Sequence, residues 1–329
     1  MGRAIVSHVF WRALLFALIL AIPLLPSAAE ENAKFRIFAS VGAGETNGIY
    51  YPLTDVICGI VNQNLHETGI RCSREMTPGS VYNVNALRDG ELEFALIQSD
   101  VAYDAYHGQG AYSAAPFPAL RSVLALHSEL VTIVARPGIH ELSDLAGKRI
   151  VAGPAGSGSR ATWEAMVKAL GWKDGQTPRT LDMPVDAIGN ALCKGSIDAS
   201  LLVLGHPSGK IRDLLAGCAL TLVPVDGPAI DSLVAAAPYL KKGPIAANAY
   251  GLPADVPSFG VSAILMTTAD MDARAVSDFA SSLGTEIKAL QDKSPVLENV
   301  NPQDIVTEAL PAPLHPAALE AYRKLGLLK

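Results

Sequence analysis

Apolar runs and helix-forming stretches alternate along the chain from residue 35 onward, with glycine-rich turns between them. The first part predicts, in order, a strand over 35–41, a helix from Tyr51, a strand over 70–76, a helix over 80–87, a strand over 92–98 and a helix over 99–107. Three strand–turn–helix units in succession predict an α/β protein with a mostly parallel sheet.

Two extended runs, 123–127 and 130–135, come next and suit a crossover between two lobes, after which the alternation restarts at Arg149. The second part predicts a strand over 149–152, a helix over 160–170, a helix over 185–194, a strand over 200–204, a helix over 208–216, strands over 219–223 and 258–266, and helices over 271–290 and 316–324. The restart indicates two similar lobes. We place lobe I at 30–135 plus about 255–329 and lobe II at 136–254.

The first 29 residues form a pattern of their own. Arg3 and Arg12 precede an apolar run over 13–25, and the small residues Ser27 and Ala29 follow it. This order is typical of a cleaved secretory signal peptide, which we assign to 1–29. The alternative is a retained anchor helix, although the run is short for a membrane span.

The charge and the histidine spacing of the chain argue against nucleic acid, metal ions and cofactors as partners. Without residues 1–29 the chain has 24 basic and 32 acidic residues. This acidic balance argues against nucleic acid as a partner. The histidines follow none of the common zinc-binding spacings, so we expect no metal and no cofactor.

The four cysteines, Cys58, Cys72, Cys193 and Cys218, would lie in an oxidising compartment after export. Four cysteines allow three pairings. The pairs closest in sequence are Cys58–Cys72 and Cys193–Cys218, each joining a helix to a nearby strand that follows it. We favour these two disulfides over four buried thiols.

Three loops at the carboxyl ends of predicted strands are candidate binding sites, because ligands of open α/β sheets bind at that edge. Residues 42–48 combine glycines with the side-chain donors of Thr46 and Asn47. The alternative is a plain tight turn, since the glycine spacing fits neither a P-loop nor Gly-x-Gly-x-x-Gly. Residues 77–80 form a turn in which Ser80 is either a ligand contact or only a helix cap. Residues 156–160 are a candidate anion cradle, in which Arg160 is either a carboxylate partner or a solvated helix residue.

A serine hydrolase is the catalytic alternative for the last loop. The nucleophile elbow requires Gly-x-Ser-x-Gly, whereas Ser157 directly follows Gly156 here, so the motif does not match. The sequence also offers no motif that supplies a histidine and an acid near Ser157 or Ser159. We therefore expect a binding protein and not an enzyme.

Several short motifs, in their order along the chain, give a more specific indication. They are Gly48-Ile49-Tyr50-Tyr51-Pro52, Gly79-Ser80-Val81, Gln98-Ser99-Asp100-Val101-Ala102-Tyr103, Asp144-Leu145-Ala146-Gly147-Lys148-Arg149, Gly156-Ser157-Gly158-Ser159, Gly205-His206-Pro207-Ser208-Gly209, Leu314-His315-Pro316-Ala317 and Tyr322-Arg323-Lys324-Leu325-Gly326. With these motifs the chain resembles the TAXI class of solute-binding proteins, and within it the immunogenic proteins of that class. TAXI proteins serve TRAP (tripartite ATP-independent periplasmic) transporters.

This resemblance implies a two-lobed periplasmic binding protein of the type II-like fold, with a ligand cleft between its lobes. It implies a periplasmic protein that captures a small carboxylate, such as glutamate or 2-oxoglutarate, and delivers it to TRAP membrane permease subunits. The candidate ligand-binding residues are Ala43, Thr46, Asn47, Tyr50, Ser80, Gln98, Ser99, Ser157, Gly158, Ser159, Arg160 and Tyr250.

The first loop departs from the pattern of that class. The class usually has threonine where Ala43 stands and glycine where Glu45 and Asn47 stand, and it usually has threonine at Ser159. A Glu45 carboxylate aimed inward would repel an acidic ligand, so the identity of the ligand is open. A secreted ligand sensor is a further alternative, which the sequence does not separate from transport.

Overall fold

The computed structural model describes residues 37–298, 300–307 and 310–329, and these fold around one mixed β-sheet. Its strands are β1 (Ile37–Gly42), β2 (Ile70–Glu75), β3 (Phe94–Gln98), β4 (Leu120–Ala135), β5 (Arg149–Val151), β6 (Arg179–Leu181), β7 (Ala199–Leu204), β8 (Thr221–Val223), β9 (Lys241–Ile245) and β10 (Val256–Thr268). The order is β2-β1-β3-β10-β4-β7-β5-β6, with β8 paired to β4 and β9 to β10.

Helices connect the strands and cover the sheet, which confirms the α/β class. They are α1 (Tyr50–Val61), α2 (Leu65–Thr68), α3 (Ser80–Arg88), α4 (Ser99–His107), α5 (Gly158–Leu170), α6 (Ile188–Lys194), α7 (Gly209–Gly217), α8 (Pro228–Ala236), α9 (Ala273–Thr285), α10 (Ile287–Lys293), α11 (Asp304–Thr307) and α12 (Pro316–Lys324). Short 3₁₀ turns complete several connections, as at Val185–Ala187 before α6.

The prediction of a mostly parallel sheet is wrong in the middle of the sheet. Strands β1, β2 and β3 pair in parallel at one end, and β5, β6 and β7 pair in parallel at the other. Between them the long strands β4 and β10 pair with each other and with their neighbours in antiparallel fashion. The local strand–turn–helix pattern indicates the parallel units but says nothing about the strands that join them.

Strand β4 also corrects the prediction of two separate extended runs. Residues 120–135 form one strand, which continues through the polar pair Ser128 and Glu129. These residues lie in register opposite Ser262 and Val261 of β10, so backbone pairing continues where the apolar pattern breaks. The sequence pattern did not predict β6, α8 or β9, and it predicted one helix where α9 and α10 are separate.

Buried apolar side chains pack against both parallel parts of the sheet. On one, α1, α9 and α12 pack against β1 and β3, where the rings of Phe94 and Phe279 stack with centroids 4.0 Å apart. On the other, Trp163 of α5 is buried and donates from Nε1 to Thr180 Oγ1 at 2.9 Å. Burying each large side chain contributes roughly 1.5–3 kcal/mol, which fixes the helix positions relative to the strands.

Both predicted disulfides are confirmed. Cys58 of α1 is bonded to Cys72 of β2, and Cys193 of α6 is bonded to Cys218, which immediately follows α7. The second bond therefore joins the ends of two helices just before β8, and not a helix to a strand.

The predicted signal peptide, residues 1–29, lies outside the described residues. None of the helices within the described ranges is long and apolar enough to cross a membrane.

Candidate functional site

A cavity of about 120 Å³ lies at the carboxyl edge of the sheet. Its walls are the segments that follow β1, β2, β5 and β6, together with the ends of β3 and β7. This is the edge at which the sequence predicted binding. A buried water needs about 10–15 Å³ by a comparable measure, so the space suits a ligand of about ten non-hydrogen atoms.

Four of the described helices begin at this cavity. Tyr50 opens α1, Ser80 opens α3, Gly158 opens α5 and Gly209 opens α7. Helix N-termini carry unpaired amide groups and a partial positive charge. Within the described part of the chain, the amides of Ser80 and Gly158 donate no hydrogen bond to the protein. The arrangement therefore presents several donors to one small space, which suits an anion.

The turn before α3 and the loop before α5 are in direct contact. The amides of Val81 and Tyr82 both donate to the Gly156 carbonyl, at 3.0 and 3.1 Å. Gly79 adopts φ +123, a conformation that favours glycine, and this turn brings Ser80 to the cavity wall. Gly158 has no room for a side chain, since a Cβ there would lie 1.9 Å from Gln98 Oε1.

The predicted hydroxyl groups line the cavity and also hold its walls in place. Ser80 Oγ accepts a hydrogen bond from the Gln98 amide at 3.0 Å. Ser157 Oγ accepts from the Arg160 amide at 3.2 Å as the N-cap of α5, and Ser159 Oγ accepts from the Val203 amide at 3.0 Å. Each hydroxyl keeps a proton to donate elsewhere.

The first loop brings charged groups to the cavity mouth. Asn47 lines the cavity and donates to Asp186, which is next in sequence to the lining residue Val185. Glu45 and Lys210 also line it. Burial raises the pKa of Glu45, while Lys210 opposes that rise. Burial lowers the pKa of Lys210, which Glu45 and Asp186 oppose. Glu45 thus faces a cation, which offsets the repulsion anticipated for an acidic ligand.

Glu129 is a cavity residue that the sequence pattern did not predict. It lies in the middle of β4, is 2% exposed, and accepts a hydrogen bond from Tyr50 Oη at 2.7 Å. Burial and the adjacent Glu129 hold the pKa of Tyr50 well above its ordinary value, so Tyr50 is the donor. His127 Nε2 lies 3.6 Å from the other carboxylate oxygen. A lone acid in an interrupted apolar run gave no signal that it faces a site.

Lys210 was missed as well. It is the second residue of α7, and a lysine at the start of a helix usually extends into solvent. Only the convergence of α7 with the first loop places it at the cavity.

Several predicted ligand contacts lie outside the cavity lining. Arg160 donates to the Gly153 carbonyl at 2.9 Å and to Asp182 at 2.6 Å. Ser99 Oγ accepts from the Ser262 amide. The predicted residues that line the cavity are Asn47, Tyr50, Ser80, Gln98, Ser157, Gly158 and Ser159, and those that do not are Ala43, Thr46, Ser99, Arg160 and Tyr250.

The positions of Ala43, Thr46 and Tyr250 explain their absence from the lining. Ala43 is buried, and its carbonyl accepts from Asn83 Nδ2 at 2.8 Å, so it holds the first loop to α3. Thr46 is exposed. Tyr250 Oη accepts from the Ser208 amide at 2.7 Å and donates to His206 Nδ1 at 2.5 Å. These hydrogen bonds hold the segment that precedes α7.

Comparison with known proteins gives a family and a fold. The model of the NMT1-like family matches residues 41–326, which is most of the chain. A protein of Bordetella bronchiseptica RB50 has a similar structure, with a TM-score of 0.54 and 15% identity over 88% of this chain and 98% of that one.

Two further structures share the fold. One, from Listeria monocytogenes, is described as a candidate L-cystine ABC transporter, with a TM-score of 0.51 and 12% identity over 80% of this chain and 97% of that one. The other is MatC from Rhodopseudomonas palustris with bound malate, with a TM-score of 0.51 and 15% identity over 79% of this chain and 86% of that one. At these identities the likeness concerns the fold.

Proposed function

Because the chain belongs to the NMT1-like family, we propose that it is the extracytoplasmic solute-binding subunit of an import system and that it captures a small carboxylate. The observation that carries this proposal is the convergence of four helix N-termini on one small cavity. The fold it shares with the transporter-related protein of Listeria monocytogenes and with malate-bound MatC supports the same class.

The donors around the cavity explain why the ligand would be an acid. The unpaired amides of Ser80 and Gly158 would each donate to a carboxylate oxygen, and Lys210 adds a cation to the lining of the same cavity. Hydrogen bonds to charged groups contribute about 1.5–3 kcal/mol each. Two or three of them would support a micromolar affinity, which corresponds to about 8 kcal/mol, together with the contacts of the apolar lining.

The transporter would be of the TRAP type, and the ligand would belong to the glutamate or 2-oxoglutarate class. Both statements rest on the resemblance to TAXI proteins, whose motifs at 48–52, 79–81 and 156–159 supply the cavity walls. The size of the cavity suits either acid. In this proposal the protein acts in the periplasm after its signal peptide is removed, and its partners are the TRAP membrane permease subunits.

Binding, and not catalysis, is the activity that the serine contacts support. Ser157 Oγ and Ser159 Oγ accept hydrogen bonds from backbone amides, as a helix cap and as a strand contact. A nucleophilic serine would instead be hydrogen-bonded to a general base.

Closure of two lobes would carry the binding signal to the permease. In this proposal lobe I comprises 30–135 and about 255–329, and lobe II comprises 136–254. The contact of Val81 and Tyr82 with Gly156, and the hydrogen bond from Thr162 Oγ1 to Asp100 at 2.7 Å, would then be contacts between lobes. A ligand that binds both lobes favours their closed arrangement. Small-angle scattering should show a smaller radius of gyration at saturating ligand, and an unchanged radius would contradict closure.

Mass spectrometry of the protein purified under native conditions tests the function directly. We expect a co-purifying small acid, which calorimetry on the protein stripped of ligand should then confirm as a one-to-one ligand. Recovery of a neutral sugar or a metal ion at the same stoichiometry would contradict the proposal. Affinity capture of the permease subunits from the same membrane, dependent on that acid, would separate transport from sensing.

A further inference from the structure

The cavity contains a buried carboxylate that an acidic ligand alone leaves unexplained. Glu129 lines the cavity and is 2% exposed. It projects from the centre of β4, where its backbone is held in register opposite Val261. A rigid central strand fixes the position of the carboxylate relative to the helix N-termini at the cavity.

The protein compensates this carboxylate only in part. One oxygen of Glu129 accepts the hydroxyl of Tyr50 at 2.7 Å. The other lies 3.6 Å from His127 Nε2, beyond hydrogen-bond distance, and the described contacts give it no other donor. A carboxylate has about four acceptor positions, and a buried charge costs several kcal/mol unless it is paired. The geometry therefore leaves room for a further donor.

A second acceptor on the cavity wall is also without a donor. Gln98 is 4% exposed and lines the cavity, and within the described residues its Oε1 has no hydrogen-bond partner. The amides of Ser80 and Gly158 provide donors in the same space. The cavity thus offers donors and acceptors together, which a ligand with both a carboxylate and an ammonium group would satisfy.

The charges of the lining point in the same direction. Glu45 and Glu129 contribute two negative charges, and Lys210 contributes one positive charge. An amine-free dicarboxylate would add two negative charges to this net negative space. The ammonium group of an α-amino acid cancels one of these charges, so that glutamate adds one net negative charge and not two. Such a ligand can direct a carboxylate to the helix N-termini and its ammonium group to Glu129.

We propose that Glu129 recognises the ammonium group of the ligand, so that the ligand is an α-amino acid and not an amine-free acid. This inference rests on the proposed function, and it chooses between the two acids that the resemblance leaves open: it favours glutamate-like ligands over 2-oxoglutarate.

Calorimetry with matched pairs of acids tests the assignment. The pairs are L-glutamate with 2-oxoglutarate and L-aspartate with L-malate, measured on the full mature protein stripped of ligand. We expect the wild type to bind the amine-bearing member of at least one pair at least about 30-fold more tightly than the amine-free member. This factor corresponds to the lower end of the binding energy measured for buried charged pairs. Glu129→Gln should remove most of that preference while leaving the affinity for the amine-free member unchanged or higher.

Two further variants separate recognition from a structural role. Tyr50→Phe removes the hydroxyl that donates a hydrogen bond to Glu129 but leaves the Glu129 carboxylate in place. The preference for the amine-bearing member of each pair should therefore remain. Glu129→Asp keeps the charge and should retain part of the preference. Circular dichroism should show native secondary structure for each variant, and the preference of the wild type is informative even if a variant does not fold.

The outcomes distinguish this inference from the proposed function. If the wild type binds the amine-free member as tightly, or if Glu129→Gln weakens both members equally, the ammonium assignment is overturned while carboxylate capture stands. Putrescine is a diamine without a carboxylate. If the wild type binds putrescine but none of the acids, and Glu129→Gln weakens the binding of putrescine, the carboxylate proposal fails and the role of Glu129 stands. If the wild type binds neither the acids nor putrescine, both are overturned.

Discussion

Gly158 is the position where one added methyl group should act most directly on the site. A Cβ there would lie 1.9 Å from Oε1 and 2.4 Å from Cδ of Gln98, and 2.9 Å from Ser80 Oγ. Ordinary contacts require about 3.4–4 Å, so in Gly158→Ala either Gln98 moves into the cavity or α5 moves away from β3. Gln98 lines the cavity, so its displacement would take up space that the ligand needs.

The cost of this overpacking is roughly 1–3 kcal/mol. If the contact between α5 and β3 forms when the ligand is enclosed, the cost is added to binding, and affinity should fall about 5- to 150-fold. Gly158 does not have a positive φ, so alanine causes no backbone strain of its own. Calorimetry with L-glutamate, or with the acid that co-purifies, measures the loss.

Gly59→Ala is the matched control. Gly59 lies in α1, is exposed, and has nothing within 4 Å of a Cβ. This substitution should stabilise the protein by about 0.5–1 kcal/mol and leave affinity unchanged. If Gly158→Ala binds ligand within twofold of the wild type but lowers the stability of the ligand-free protein, the contact is permanent and the reasoning about enclosure is refuted.

Three further predictions concern charge, pH and the disulfides. Lys210→Ala should weaken binding of an acid about tenfold, because it removes one charged contact. Arg160→Ala should change the affinity less than twofold, because the Arg160 side chain lies outside the cavity. A larger loss of affinity in Arg160→Ala than in Lys210→Ala, measured by calorimetry, would contradict the assigned positions. Burial raises the pKa of Asp100 from 3.8 to about 6, so the folded protein holds that proton more tightly than the unfolded chain, and stability should decline as pH rises from about 4 to about 6. Urea unfolding of Asp100→Asn should lack this decline, and an identical pH slope in both proteins would exclude Asp100 as its source. Replacing Cys193 and Cys218 by serine should lower the free energy of unfolding by about 3 kcal/mol, because the disulfide closes a loop with a sequence separation of 25 residues. A urea unfolding curve identical to that of the wild type would contradict this stabilising role.

The location of the site could be predicted from the sequence because local rules determine it. Glycine-rich turns after apolar strands predict the carboxyl edge of a sheet, and the next helix begins there. Ser80, Ser157 and Gly158 were predicted in this way, whereas Gln98 was implied by the resemblance to TAXI proteins, and all four line the cavity. These positions depend on segments of about ten residues, which sequence periodicity describes well.

Arg160 shows where local reasoning stops. Its position in the first turn of α5 made it a reasonable carboxylate partner, since the helix start faces the cavity. The side chain is long enough to reach elsewhere, and Asp182, from the segment after β6, lies within hydrogen-bond distance. The direction of a flexible side chain depends on a partner 22 residues away, which no local pattern indicates.

The two ends of the proposed ligand therefore differ in how far the sequence predicts them. Its carboxylate would bind backbone amides, whose direction follows from the strand–turn–helix units, and so an anion site could be anticipated without knowing any long-range contact. Its ammonium group would bind Glu129, which in the sequence is a polar interruption between two apolar runs. Only the pairing of β4 with β10 shows that the strand continues there and that its acid faces the cavity. A buried charge in the middle of a central strand is costly for folding, and a ligand that neutralises it offers a physical reason for its presence.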